Sequence, residues 1–310
     1  MSEPISHTEK VSCIICQHDN PHTYAVHGQF GIPLHLAICK NCGLSYLNPR
    51  WNKDRYLKYY AQEYDTHYRK KEVDASMSGE LDRERYGLIH RRLSSKNLLE
   101  ETPRTILDIG SGEGNILSYF QEVYPETAFA AIEPSETCQE ILRSKGVQVL
   151  THDVDTDWHL GQEGKYDLII MRHVLEHFMN PLEVLKKVAS VLSENGQLYI
   201  AVPNALYLEE SAFFTHWLRV VHTYYFNRIS LTNLCHLAGL HIQWMQEGDQ
   251  ANRQELFAVV SRAAAPQEVS IDPQNFLLQQ AAYDKKMRQE KMPFASLLRK
   301  GKRMLRKISS

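Results

Sequence analysis

Two cysteine pairs are the plainest chemistry in the sequence. Cys13-x-x-Cys16 and Cys39-x-x-Cys42 are separated by 22 residues, and Gly43 follows the second pair as a knuckle turn requires. The C-x-x-C spacing lets two sulfurs reach one ion, so two pairs supply four thiolates that close a tetrahedral zinc site. With no open position left, such a metal is structural rather than catalytic. A second constellation is Ile106-Leu-Asp-Ile-Gly-Ser-Gly-Glu-Gly114, an apolar run entering Gly110, Gly112 and Gly114, with a helical pattern behind it. Glycines at a strand-to-helix turn let the backbone approach a ligand closely and present free N–H groups. A third is the histidine set: His173 and His177 flank Glu176, and His222 follows downstream. Histidine is the natural proton acceptor at neutral pH.

A G-x-G-x-G turn by itself is often purely structural. Its position here, at the carboxyl end of the first strand of an alternating pattern, is where open α/β sheets bind ligands. Glu133 ends the second run, 19 residues beyond Gly114, where an acid accepts hydrogen bonds from ribose hydroxyls. Asp153 follows the third run, placed to meet an adenine amino group. Asp108 puts a carboxylate just ahead of the glycines. It would repel a pyrophosphate and so weighs against a dinucleotide site, but it is an asset beside a sulfonium-bearing amino acid. His173-x-x-Glu176-His177 also fits the H-x-x-E-H metalloprotease pattern, but that motif belongs within a helix, and here it starts at a strand end.

The elements that must position these groups are read from periodicity. Short apolar runs at 105–110, 128–133, 147–150, 166–171 and 196–202 alternate with helical stretches and indicate parallel strands joined by crossovers. Two more runs, 241–245 and 256–261, read as a hairpin that closes one sheet edge. Four segments follow: a zinc ribbon over 1–50, a helical Tyr-rich cap over 51–102, an α/β domain over 103–264, and a helical, basic C-terminal tail over 265–310. Cys138 and Cys235 fall in helical stretches and are expected in the core.

The motif order resembles that of class I S-adenosylmethionine-dependent methyltransferases. Leu107-Asp-Ile-Gly-Ser-Gly-Glu-Gly114, Ile132-Glu-Pro-Ser135, Tyr166-Asp-Leu-Ile-Ile-Met-Arg-His-Val-Leu-Glu-His177 and Gly196-Gln-Leu-Tyr-Ile-Ala-Val-Pro-Asn204 look like successive motifs of that family. The resemblance spans about residues 103–262. It implies a Rossmann-like α/β fold, with a seven-stranded sheet whose last strand is antiparallel and the cofactor across the ends of the first, second and fourth strands. It further implies that Asp108, Gly110, Ser111, Gly112 and Gly114 hold the methionine part, Glu133 the ribose and Asp153 the adenine, with Arg172 among the cofactor contacts. Cys39-Lys-Asn-Cys-Gly-Leu-Ser-Tyr-Leu-Asn-Pro-Arg50 resembles the ribbon ahead of many bacterial sugar and small-molecule methyltransferases, in which a Tyr-rich stretch follows. Val221-His-Thr-Tyr-Tyr-Phe-Asn227 resembles the segment that borders the acceptor in those relatives. His222, His177 and His173 are therefore the candidate catalytic residues, with His222 the first choice as base and a positioning role equally open for His177. Tyr224 and Tyr225 are expected either to face a sugar or to fill core, and the aromatic stretch 207–217 to form a lid, an acceptor wall or a buried or dimer contact.

Composition narrows the function classes. The chain has 310 residues and a formal charge of −2, so no general field draws it to nucleic acid. Paired cysteines in a chain whose first residues, Met1-Ser-Glu-Pro, lack the features of a secretory signal lead to the expectation of a reducing, cytoplasmic setting. The segment 297–308 alternates apolar and basic residues, the pattern of a helix that contacts an anionic membrane's inner face. The reading is an O-methyltransferase for a sugar, glycan precursor or related small molecule, with a homodimer left open. Its rivals are an RNA methyltransferase using the ribbon as a grip, and a non-catalytic cofactor-binding scaffold.

Overall fold

The computed structural model describes residues 7–63, 82–99, 101–208, 212–249 and 253–291. The basic segment 297–308 and part of the Tyr-rich stretch, including Tyr64 and Tyr68, lie outside the described residues.

The polypeptide starts with five strands, β1 (Thr8–Glu9), β2 (Pro21–His27), β3 (Pro33–Cys39), β4 (Ser45–Leu47) and β5 (Arg50–Trp51), followed by helices α1 (Lys53–Gln62), α2 (Arg83–Tyr86) and α3 (Leu88–Ser94). The α/β region then runs β6 (Thr105–Ile109), α4 (Asn115–Val123), β7 (Ala128–Ile132), α5 (Glu136–Ser144), β8 (Gln148–Thr151), β9 (Tyr166–Arg172), α6 (Pro181–Val191) and β10 (Leu192–Pro203). It continues through β11 (Tyr224–Tyr225), α7 (Arg228–Leu237), β12 (Leu240–Glu247) and β13 (Glu255–Arg262), and α8 (Pro273–Lys291) closes the described chain.

Seven of these strands form one sheet in the order β12-β13-β10-β9-β6-β7-β8. The pairs β6·β7, β6·β9, β7·β8 and β9·β10 are parallel, whereas β13 runs antiparallel to both β10 and β12. The expected Rossmann-like sheet, with its antiparallel last strand, is the sheet observed. Its central strands are buried on both faces, which is why they read as continuous apolar runs. Ile106, Leu168, Ile170, Tyr199 and Phe257 turn to one face, and Leu107, Ile169, Met171, Ile200 and Ala258 to the other. Three of the helices, α5, α6 and α7, start on side-chain caps: Ser135 accepts from Cys138 N–H, Asn180 from Glu183 N–H ahead of Pro181, and Asn227 forms a reciprocal box with Ser230.

The N-terminal strands are continued by a strand from the second half of the chain. A second, four-stranded sheet has the order β11-β4-β3-β2, so its edge strand comes from residues 224–225. The cysteine cluster shares a core with the large sheet, since Cys13, Cys39, Cys42 and Tyr46 pack in continuity with Tyr224, Phe226 and Leu231. Helix α8 is likewise docked rather than free. Tyr283 is fully buried and Gln279 is buried with its amide donating to Ala205 O, while Asn275 donates to Cys42 O. The aromatic stretch is a single π-turn, Phe213–Trp217, in which Phe213 stacks on Trp217 and Trp217 on Tyr225. Phe213, Trp217, Tyr224 and Tyr225 are all buried, so these rings fill core. No described helix is long and apolar enough to cross a membrane.

Candidate active site

The turn after β6 is the first half of the site. Gly110, Gly112 and Gly114 all have left-handed φ values, of 76°, 55° and 72°. A β-carbon on Gly110 would fall 2.2 Å from Val174 Cγ1, so this glycine permits the turn to pack directly against the segment that follows β9. A β-carbon on Gly112 would meet nothing within 4 Å, so the second glycine faces open space. Glu133, just past β7 and 6% exposed, accepts from Gly112 N–H at 2.8 Å with one oxygen and from Ser135 N–H at 2.9 Å with the other. It thereby ties the turn to the neighbouring strand end. Asp153 lies beyond β8 at the same end of the sheet, oriented by a 2.8 Å bond from Asp155 N–H.

Asp108 sits beneath this turn. It is 2% exposed, and neither its Oδ2 nor Ser111 Oγ finds a hydrogen-bond partner among the described residues. Burial, and then the nearby Glu133 carboxylate, push the Asp108 carboxyl up to about 7, against the pull of Arg172. The turn therefore holds a buried acid and a hydroxyl with free hydrogen-bonding capacity. A ligand carrying positive charge and hydrogen-bonding groups fits such a place.

The second half comes from distant segments. Arg172 ends β9 and directs Nε to Glu255 Oε1 at 3.3 Å, so part of its guanidinium is engaged inside the protein. His173 has a φ of 55°, unusual for a residue with a side chain, and its N–H bonds to Ala201 O at 2.8 Å. Its ring places Nε2 at 2.9 Å from Glu255 Oε1 and Nδ1 at 3.7 Å from Glu176 Oε1. Burial opposes the charged ring, but Glu176 and Glu255 outweigh it and raise His173 to about 9. Conversely Glu255, fully buried, is held down to about 2: burial opposes its charge, but His173 and the Arg92 and Arg172 guanidinium groups prevail. Arg92 from α3 makes a close ion pair with Glu255 and another, at 2.8 Å, with Asp249. Sequence reasoning missed Glu255 and Arg92. An acid opening an apolar strand was their one signal, and its partners lie as far as 163 residues away.

His173 is thus a structural cation at neutral pH, whereas His177 and His222 form a separate pair. Their rings meet edge to face with centroids 4.8 Å apart. Burial lowers both, helped by the positive charges of Arg219 and His173, and His222 falls well below the ordinary histidine value. Both imidazoles are neutral at pH 7, the form that accepts a proton or a metal. Glu176, 1% exposed, lies beside them. The loop carrying His222 is fixed by Thr223, whose hydroxyl donates to Glu176 O at 3.1 Å and Phe178 O at 2.7 Å, and whose carbonyl accepts from Leu47 N–H. The N-terminal sheet therefore helps to place His222.

The four cysteines converge as well. Cys13 Sγ lies 3.4 Å from Cys42 Sγ and Cys16 Sγ 3.4 Å from Cys39 Sγ, and all four sulfurs fall within 4.8 Å of one another. The thiols have mainly one another for company: Cys39 is lowered by hydrogen bonds from Cys13 and Cys42, which are themselves raised. Cys235 is buried in α7 with its thiol pushed up to about 12 by burial alone, so it is an inert core residue.

A seven-stranded sheet with this strand order, a glycine turn on its first strand and an acid on its second define an S-adenosylmethionine-dependent methyltransferase. The chain belongs to the methyltransferase-domain family, whose profile matches residues 79–243. Solved structures with the same fold include the Burkholderia thailandensis 1,6-didemethyltoxoflavin-N1-methyltransferase, bound to 1,6-didemethyltoxoflavin and S-adenosylhomocysteine. It is 17% identical, with 79% of this chain and 99% of that chain covered and a TM-score of 0.50. S-adenosylmethionine-dependent methyltransferases from Mesorhizobium loti (17% identity, 57% and 100% covered, TM-score 0.46) and Clostridium acetobutylicum (13%, 68% and 100%, 0.46) are also similar. No curated protein matches the chain in sequence.

Proposed function

We propose that this methyltransferase acts on an oxygen of a sugar, a glycan precursor or a related small molecule, and that the acceptor hydroxyl meets the corner formed by Glu176, His177 and His222. The observation that carries the reading is the pairing of two neutral imidazoles with a buried carboxylate, of which Glu176 and His177 are on the segment packed against the glycine turn through Val174 and Gly110. A hydroxyl needs a group that takes up or stabilises its charge as it attacks, and neutral histidine near a carboxylate supplies that. The sugar class rests on the resemblance of the N-terminal segment to ribbons of bacterial sugar methyltransferases.

S-adenosylmethionine, when bound, supplies an activated methyl group on a sulfonium. The unpartnered Asp108 Oδ2 and Ser111 Oγ, with the open face of Gly112, fit its charged amino-acid end. In this reading Glu133 takes the ribose hydroxyls and Asp153 the adenine, while Asp108 supplies negative charge at the amino-acid end of the ligand. The protein's remaining task is alignment, since displacement at a methyl carbon is in line and sensitive to position.

The four cysteines fit a zinc ion. Thiolates ~2.3 Å from a tetrahedral zinc lie roughly 3.8 Å apart, close to the spacing of these sulfurs. Such an ion would remove the mutual repulsion of the thiolates and pin β3 to the knuckle after Cys42. It would have no open position and would act on structure alone.

The test uses S-adenosylmethionine labelled in its methyl group, incubated with the protein and with cell extract separated into RNA, lipid-glycan and small-molecule fractions. Label in the glycan or small-molecule fractions, alkali-stable as an ether and absent with Glu133→Ala, is the expected result. Label confined to RNA, or carried on nitrogen or carbon, refutes the oxygen-acceptor reading.

A further inference from the structure

One ligand atom from each of Glu176, His177 and His222 lies within 4.8 Å of the other two. Glu176 and His222 are 1% and 6% exposed, yet Glu176 Oε2 and His222 Nδ1 have no hydrogen-bond partner among the described residues. His173 Nδ1 and His177 Nε2 face the other carboxylate oxygen, Oε1, at 3.7 and 3.9 Å. A buried carboxylate oxygen and a buried imidazole nitrogen left without partners are costly unless something positive or donating meets them.

We propose that Glu176, His177 and His222 bind a divalent first-row cation of the Mn2+, Fe2+ or Zn2+ kind. Two imidazoles and one carboxylate are borderline donors suited to these ions, and three protein donors leave coordination positions open. The His177 side chain, 24% exposed, opens the corner to exchange. His173 cannot join the set, since its Nε2 is engaged with Glu255. The open positions suit two adjacent oxygens of one acceptor, such as vicinal hydroxyls, whose acidity a cation raises. That narrowing of the substrate class rests on the oxygen-transfer reading; the cation site itself does not.

Mn2+ added to the full chain, with the thiolate cluster already saturated by zinc, is the probe, because thiolate sites disfavour it relative to zinc. Electron paramagnetic resonance is expected to show one Mn2+ bound per chain, with nitrogen hyperfine coupling from imidazole. Binding weakens at least ~tenfold in Glu176→Gln and in His222→Asn, while S-adenosylhomocysteine affinity is kept, which shows that the fold survives. His177→Asn, on the half-buried ring, supplies the same comparison if a buried variant does not fold. Absence of specific Mn2+ binding, or binding that these substitutions leave unchanged, overturns the site. If Mn2+ binds as expected but label lands on nitrogen, the site stands and the oxygen reading falls. Label on oxygen at an unchanged rate in a variant lacking Mn2+ binding, or in chelator, overturns the narrowing to vicinal hydroxyls and keeps the oxygen reading.

Discussion

The two halves of the site are built in opposite ways. On the cofactor side, Asp108, the glycines and Glu133 fall within 26 consecutive residues, and their fixed contacts are local, as in the bonds from Gly112 and Ser135 to Glu133. On the acceptor side, His173 depends on Glu255, Glu255 on Arg92 from α3, and His222 on a loop held by Thr223 and by the pairing of β11 with β4. A local site tolerates damage elsewhere, whereas one assembled from four distant segments fails with any of them. Substitutions should separate the two halves accordingly.

The largest effect is expected at Glu255. Glu255→Gln leaves Arg92, Arg172 and His173 without their shared counter-charge, and loss of one partner from a buried ion pair costs ~3–5 kcal/mol. Urea unfolding of the variant should show that loss; a change under 1 kcal/mol would mean that the network is not the keystone of the acceptor side. Next is Cys39→Ser, which should cut methyl transfer roughly 100-fold by displacing His222, since a shift of about 1 Å suffices for such a loss. S-adenosylhomocysteine affinity, measured by calorimetry, should stay within a few-fold. Equal damage to both quantities would erase the contrast between the halves.

Glu133→Gln tests the cofactor side. Exchanging a charged acceptor for a neutral one should weaken S-adenosylmethionine by about 1.5–2 kcal/mol, or 10- to 30-fold, with the Mn2+ signal at His222 intact. The smallest effect concerns pH. Burial first, then Glu133, raises the Asp108 carboxyl to about 7, so in the free protein it is mostly protonated at pH 6. The stability this group contributes is complete below the usual aspartate value near 4 and is lost as pH rises through about 7. A cationic ligand beside it favours the ionised form. Binding of S-adenosylmethionine at pH 6 should therefore release up to one proton, fading above pH 8, as read by calorimetry in buffers of different ionisation enthalpy. Release that persists unchanged in Asp108→Asn would assign the proton to another group.

What the sequence determined by itself were the features whose causes are local. Strand runs of β6, β9 and β10 were legible because burial on both faces removes polar residues, and the glycine turn because left-handed backbone at Gly110 and Gly112 excludes side chains. The cysteine pairs were legible because four sulfurs at C-x-x-C spacing have few other uses. What only the tertiary structure decided depends on contacts between distant segments, which no local pattern records. The sequence set a boundary near residue 50, but β11 pairs with β4 across it, so the N-terminal strands and the acceptor loop are one construction. Tyr224, Tyr225 and Trp217, open to either reading by residue type, proved to be core: α8 and the four-stranded sheet enclose Tyr225 and Trp217, and Tyr224 packs with Tyr46 and Phe226. The histidines differ in the same way. All three look alike as residues, yet Glu176 and Glu255 hold His173 as a cation, and burial beside each other keeps His177 and His222 neutral. Charge state is set by surroundings, and those are supplied by the fold.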